Sequence, residues 1–140
     1  MIRSPNVRRC GPMTLCVAVV TTMTGCGTKL VWRPDLGGAM QLASRENRFV
    51  VVAYWSALNA DCMEMERTVF QSQDVVDIMA GTVPVRLSPM LHKAWAREAG
   101  VNRVPSFVVY APDGRILRRH EGFLDEAAFR GFIVAAKLSV

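Results

Sequence analysis

The stretch "RFVVVAYWSALNADCMEMERTVF", residues 48 to 70, changes character twice. After Arg48 it is continuously apolar and rich in β-branched residues as far as Trp55, which is the pattern of a central strand buried on both faces. From Ala60 onward it carries Asp61, Glu64 and Glu66, whose negative charge offsets the exposed N–H groups at a helix N-terminus. A helix is therefore expected to begin near Asn59 or Ala60. Asparagine is one of the best N-caps, worth roughly 1 kcal/mol over alanine, so Asn59 can hold the turn between strand and helix by itself. Cys62 sits in the first turn of that helix.

Upstream, "WRPDLGGAMQLASREN" predicts a helix over about 35 to 46, with Leu36, Ala39, Met40 and Ala43 at helical spacing and Gly37 and Gly38 weakening its first turn. Downstream, Ser72 caps a short helix through Met79 that Gly81 stops. "TVPVRL" (82 to 87) is a strand in which Pro84 leaves the ladder incomplete. In "SPMLHKAWAREAG", Ser88 at the cap, Pro89 at the first helical position and Gly100 past the end predict another helix. "PSFVVYA", the turn "PDG" and "RILRRHEGF" read as a β-hairpin, and an amphipathic helix with Asp125 near its start turns Phe129, Phe132, Ile133 and Ala136 inward. A parallel crossover followed by a hairpin means a mixed α/β sheet with helices on both faces.

This order resembles the thioredoxin-like fold, and two stretches carry the likeness further. "VVVAYWSALNADCMEMERTVF" (50 to 70) resembles the strand, active-site turn and helix of the thioredoxin-like domain of bacterial transmembrane disulfide-interchange reductases. "AGVNRVPSFVVYAPDGR" (99 to 115) is similar to the segment holding that family's cis-proline, which the resemblance places at Pro105, before the hairpin. The likeness runs over about 32 to 138. It puts Tyr54 and Trp55 at the family's aromatic positions and Cys62 at the second, resolving cysteine of C-x-x-C. The attacking cysteine is replaced by Asn59, the preceding tryptophan by Leu58, and the buried acid of thioredoxins by Ala53, leaving N-A-D-C (Asn59, Ala60, Asp61, Cys62) as a degenerate active site. Three parts of the redox apparatus are missing together, so two-thiol exchange is not expected. Through the family, Val104 and Pro105 beside Trp55 are expected to offer a groove for an extended peptide.

Residues 1 to 12 hold Arg3, Arg8 and Arg9 and no acid, and the apolar run "MTLCVAVVTTMTG" (13 to 25) is too short to span a bilayer. "MTGCG" then resembles a lipobox. The domains expected are a lipoprotein-type signal peptide over 1–25, a lipidated N-terminus and linker over 26–31 with Cys26 as the attachment point, and a thioredoxin-like domain over 32–140. The expected location is exported and membrane-anchored, on the periplasmic face of a bacterial membrane. Without the three leader arginines, 14 basic residues face 12 acids, a net of +2 that gives nucleic acid no purchase. Arg115, Arg118 and Arg119 read as a solvated strand edge.

With Cys10 and Cys16 in the leader and Cys26 lipidated, Cys62 is the one thiol of the expected mature domain. Its position inside the helix turns its side chain inward, and Asp61 beside it is expected to raise its pKa. Four readings stay open: a small packed residue, a one-thiol mixed disulfide, a sulfenic-acid sensor, or copper binding with Met63, Met65, Met90, His92 and His120. His92 and His120 are expected on solvated surfaces. The leading functional reading is a redox-associated protein of the thioredoxin family whose exchange is lost or reduced to a one-thiol step at Cys62. Its rival is a non-catalytic binding module using the cis-proline groove. No cofactor and no bound metal are expected; the partner is an unidentified protein or thiol.

Overall fold

The computed structural model describes residues 29–140. The expected signal peptide, the lipid attachment point Cys26 and linker residues 27 and 28 lie outside them. The elements are α1 (Leu36–Glu46), β1 (Val50–Tyr54), α2 (Ala60–Thr68), α3 (Gln73–Met79), β2 (Val83–Leu87), α4 (Lys93–Glu98), β3 (Ser106–Tyr110), β4 (Ile116–Glu121) and α5 (Glu126–Lys137). Their sheet runs β2-β1-β3-β4. β1 and β2 are parallel, and β3 is antiparallel to both β1 and β4. This is the mixed α/β sheet the sequence pattern predicts.

Strand position follows side-chain character. β1 and β3 are buried along their whole lengths and take the two central places. β2 alternates buried and half-buried, as an edge strand should, and Pro84 sits there at no cost to a central ladder. A single parallel bridge from Arg33 to Val85 covers part of that edge, with Arg33 N–H donating to the Pro84 carbonyl at 2.9 Å. β4 is the other edge, and Arg115, Arg118 and Arg119 are exposed along it.

Because β1 side chains alternate, one strand serves two cores. Val51, Ala53 and Trp55 join Cys62, Met65, Phe70, Val75, Phe107, Phe129 and Ile133 under α2, α3 and α5. Val50, Val52 and Tyr54 join Leu36, Ala39, Ala43, Ala96 and Ala99 under α1 and α4. Each fully buried valine removes enough apolar surface from water to contribute roughly 1.5–3 kcal/mol before entropy is counted.

Two helix starts here are capped as their residues direct, and two depart from expectation. Asp35 caps α1 by accepting from the N–H groups of Gly37 and Gly38 at 3.1 and 2.9 Å. A Cβ on Gly38 would stand 2.5 Å from that carboxylate, so the glycine that weakens the helix also admits its cap. Asp125 caps α5 by accepting from Ala128 N–H. Ser72 sits at the N-cap of α3 but makes no side-chain cap bond. The helix expected from Ser88 and Pro89 starts later, at Lys93. The Ser88 carbonyl accepts from both Leu91 and His92 N–H, so residues 88 to 92 close into a turn and leave Met90 and Leu91 exposed. The burial of Ala96 and Ala99, rather than the cap sequence, sets the helix itself.

Candidate functional site

The turn after β1 is built by Ser56 and Asn59. The Ser56 hydroxyl accepts from Leu58 N–H at 3.2 Å, and its carbonyl accepts from Asn59 N–H at 3.2 Å. Asn59 adopts extended backbone angles, and its Oδ1 accepts from Cys62 N–H at 3.0 Å, one of the donors a helix start leaves unsatisfied. Asn59, where the likeness expects the attacking cysteine, thus serves as a cap. Leu58 is 98% exposed at the tip, and Ala60 and Asp61 face solvent.

Cys62 is fully buried and unpaired. Burial is the main reason its thiol titrates above the ordinary value; a Ser56 backbone hydrogen bond and the charge of Arg86 pull the other way, and Asp61 pushes up only weakly. The direction matches the expectation drawn from Asp61, but desolvation, rather than the neighbouring carboxylate, is the leading cause. Met65 packs in the same core while Met63 projects to solvent. Met90 lies on the 88–92 loop and His120 on β4, so the soft side chains considered for copper are distributed over separate elements. Among the described residues, no group of three or more His, Cys, Asp or Glu side chains is placed to hold a metal ion.

Both histidines differ from expectation in being half-buried. His92 Nδ1 lies 3.1 Å from the Ser88 carbonyl, within the turn that replaces the start of the helix. His120 packs edge-on against Phe132, 6.2 Å between centroids.

The Val104–Pro105 peptide is cis. Pro105 is buried, Trp55 is 7% exposed and Val104 is half-buried. No backbone–backbone hydrogen bond of Val104 occurs among the described residues. The apolar surface open at this end belongs instead to Leu58, Met63, Met90, Leu91 and Phe123. Strand direction brings these together. β1, β2 and β4 all point their C-terminal ends this way, and β3 begins here.

The sequence reading missed Arg86. On β2 it pairs in register with Ala53, and its guanidinium lies 4.6 Å from the Trp32 ring centroid and 4.5 Å from that of Trp55. Its Nη2 donates to Glu66 Oε2 at 2.7 Å. A guanidinium flanked by two indoles in a partly dry site gains about 1–2 kcal/mol from the ring quadrupoles. A charged pair therefore lies on the sheet face that Ala53 shares. The available signal was the arginine in an otherwise apolar strand, with Glu66 one helical turn beyond Cys62.

With the site described, its relatives can be placed. The model of the thioredoxin-like domain family matches residues 36–137, and the chain belongs to that family. No curated protein sequence matches it. Among solved structures it is similar to the DsbH oxidoreductase, at 14% identity and a TM-score of 0.68, over 96% of this chain and 94% of that one. It is likewise similar to a thioredoxin from Thermus thermophilus, at 24% identity and a TM-score of 0.69, over 79% and 89%. The C-terminal domain of Neisseria meningitidis DsbD in its oxidised form is similar at 20% identity and a TM-score of 0.61, over 72% and 95%. At these identities the structural likenesses speak for the fold.

Proposed function

We propose that this thioredoxin-family domain is a non-catalytic partner-binding module in a redox-associated setting, exported and held to a bacterial membrane by lipid on Cys26. The carrying observation is the state of the turn: Asn59 holds it closed as a cap, and the sulfur beneath it is fully buried. A thiol in that position is neither ionised at neutral pH nor open to a substrate disulfide. The same end of the sheet exposes Leu58, Met90, Leu91 and Phe123 and carries Val104, which has no backbone–backbone hydrogen bond among the described residues; this suits an extended apolar segment of a partner protein.

A one-thiol reading is favoured by the Ser56 backbone hydrogen bond and the charge of Arg86, both of which pull Cys62 toward the thiolate against the larger effect of burial. In that reaction the Cys62 thiolate would attack a partner disulfide, forming a mixed disulfide and releasing the partner's other sulfur as a thiolate.

Alkylation kinetics separate the two. The binding module predicts that Cys62 reacts only as fast as the protein opens, with full reactivity in denaturant. Rapid alkylation of the folded protein, with an apparent pKa below the free-thiol value of about 8.5, would establish the one-thiol step instead.

A further inference from the structure

The chain enters the fold at the end of the sheet opposite the Cys62 turn. Arg33 bridges Val85 in parallel, so residues 29 to 32 run beside the N-terminal end of β2, next to Thr82 and Ala80. Cys62 follows the C-terminal end of β1, which is parallel to β2. The five residues of β1 separate the two ends by about 16 Å before their loops are added.

The entry pole has its own surface chemistry. A cavity of about 300 Å³ is lined by Lys29, Leu30, Val31, Arg48, Val76 and Met79, among others; Asp77 is in its wall, and Arg48 is ion-paired to Glu46 at 2.8 Å. Val31 is 77% exposed. The end of α3 links this cavity to the end of α5, because Lys137 Nζ donates to the Ile78 carbonyl at 2.9 Å, and Leu138 beside it is 80% exposed. Exposed apolar side chains interleaved with cations are the composition that settles at a lipid–water boundary, with the hydrocarbon facing inward and the charges at the phosphates.

Tether length selects the occupant. Whatever path residues 27 and 28 take, the three residues from Cys26 to Lys29 span at most about 10 Å. A lipid on Cys26 therefore brings this pole, and not the Cys62 pole, against the membrane. We infer that the entry pole is a lipid-surface contact, with Val31 and Leu138 at the acyl boundary and Lys29 toward anionic headgroups, presenting the Cys62 turn away from the bilayer. This rests on the lipid-tether reading above.

The test uses the full chain expressed in a bacterium and recovered with its membranes, with Cys10, Cys16 and Cys62 replaced by alanine. Leu138→Cys and Leu58→Cys each carry a fluorophore in turn, and nitroxide-labelled phospholipid is the quencher. Incorporation of labelled palmitate is read on the same preparations. The expected result is palmitate incorporation with several-fold stronger quenching at 138 than at 58, and loss of that difference when Lys29→Glu and Val31→Asp are added. Palmitate incorporation with equal quenching, or stronger quenching at 58, overturns the orientation while the tether stands. Shielding of the 138 probe from lipid, with unlabelled Leu138→Cys forming a disulfide to a second copy under oxidant, overturns it in favour of a dimer. No palmitate and a chain free of the membrane overturn the tether, and the orientation with it.

Discussion

The two faces of the sheet share the strand β1 but are built from different materials. The face under α2, α3 and α5 is aromatic: Phe70 lies within 5.1 to 6.4 Å of the rings of Trp32, Trp55, Phe107 and Phe129, and the same face holds Cys62 and the guanidinium of Arg86. The face under α1 and α4 is mainly aliphatic, and its polar members are Tyr54 and Tyr110. The Tyr54 hydroxyl is buried without a hydrogen-bond partner, and burial pushes its pKa far up. On the aromatic face Arg86 pairs through Nη2 with Glu66, but its Nε is buried without a hydrogen-bond partner, so each face carries one unpaired polar atom.

The largest effect that would sharpen this contrast is Phe70→Ala. Removing the hub of the aromatic face should cost about 3–5 kcal/mol in chemical denaturation and change tryptophan emission, because Trp32 and Trp55 both pack on it. A loss below about 1 kcal/mol would mean that the cluster does not act as a unit. Arg86→Met should cost about 1–2 kcal/mol, discounted because Arg86 and Glu66 keep 25% and 34% of their side-chain exposure, and should move Cys62 alkylation to still higher pH.

Asn59→Ala should cost about 1 kcal/mol, whereas Ser72→Ala, whose side chain caps nothing, should change stability by less than about 0.5 kcal/mol. Equal losses at the two positions would show that the Asn59 bond is not what holds the turn. Tyr54→Phe should be neutral or stabilising by up to about 1 kcal/mol, since it removes an unpaired buried hydroxyl; a loss would mean that the hydroxyl finds a partner, with Tyr110 the neighbour to examine.

The smallest signal is the pH slope from Cys62. Its thiol ionises later in the folded than in the unfolded protein, so the unfolded state releases its proton first as pH rises above about 8.5. The contribution is fully present below that value and is lost above it. Stability measured from pH 7 to 10 should therefore fall more steeply in the parent than in Cys62→Ala.

Most of the fold was legible because its signals are local. The β-branched run through Val50–Tyr54 reads as a buried strand, and Asp35, Asn59 and Asp125 stand where caps are needed. The site was legible in part. Asn59 as the cap of α2 and the inward position of Cys62 follow from sequence spacing. The late start of α4 was not legible, because Ser88 and Pro89 satisfy the local rule for a helix start while the turn on the Ser88 carbonyl wins.

By itself the sequence determined the order of elements, the interior faces of α1 and α5 and the placing of Asn59 and Cys62 in one turn, since periodicity, caps and residue identity act within a few positions. Tertiary structure alone decided that Arg86 lies between Trp32 and Trp55, that burial outweighs Asp61 at Cys62, and that the chain enters at the pole opposite the turn. Those three facts depend on strand register and on residues more than twenty positions apart meeting across the sheet, and register is an energy of the whole packed face rather than of any local stretch.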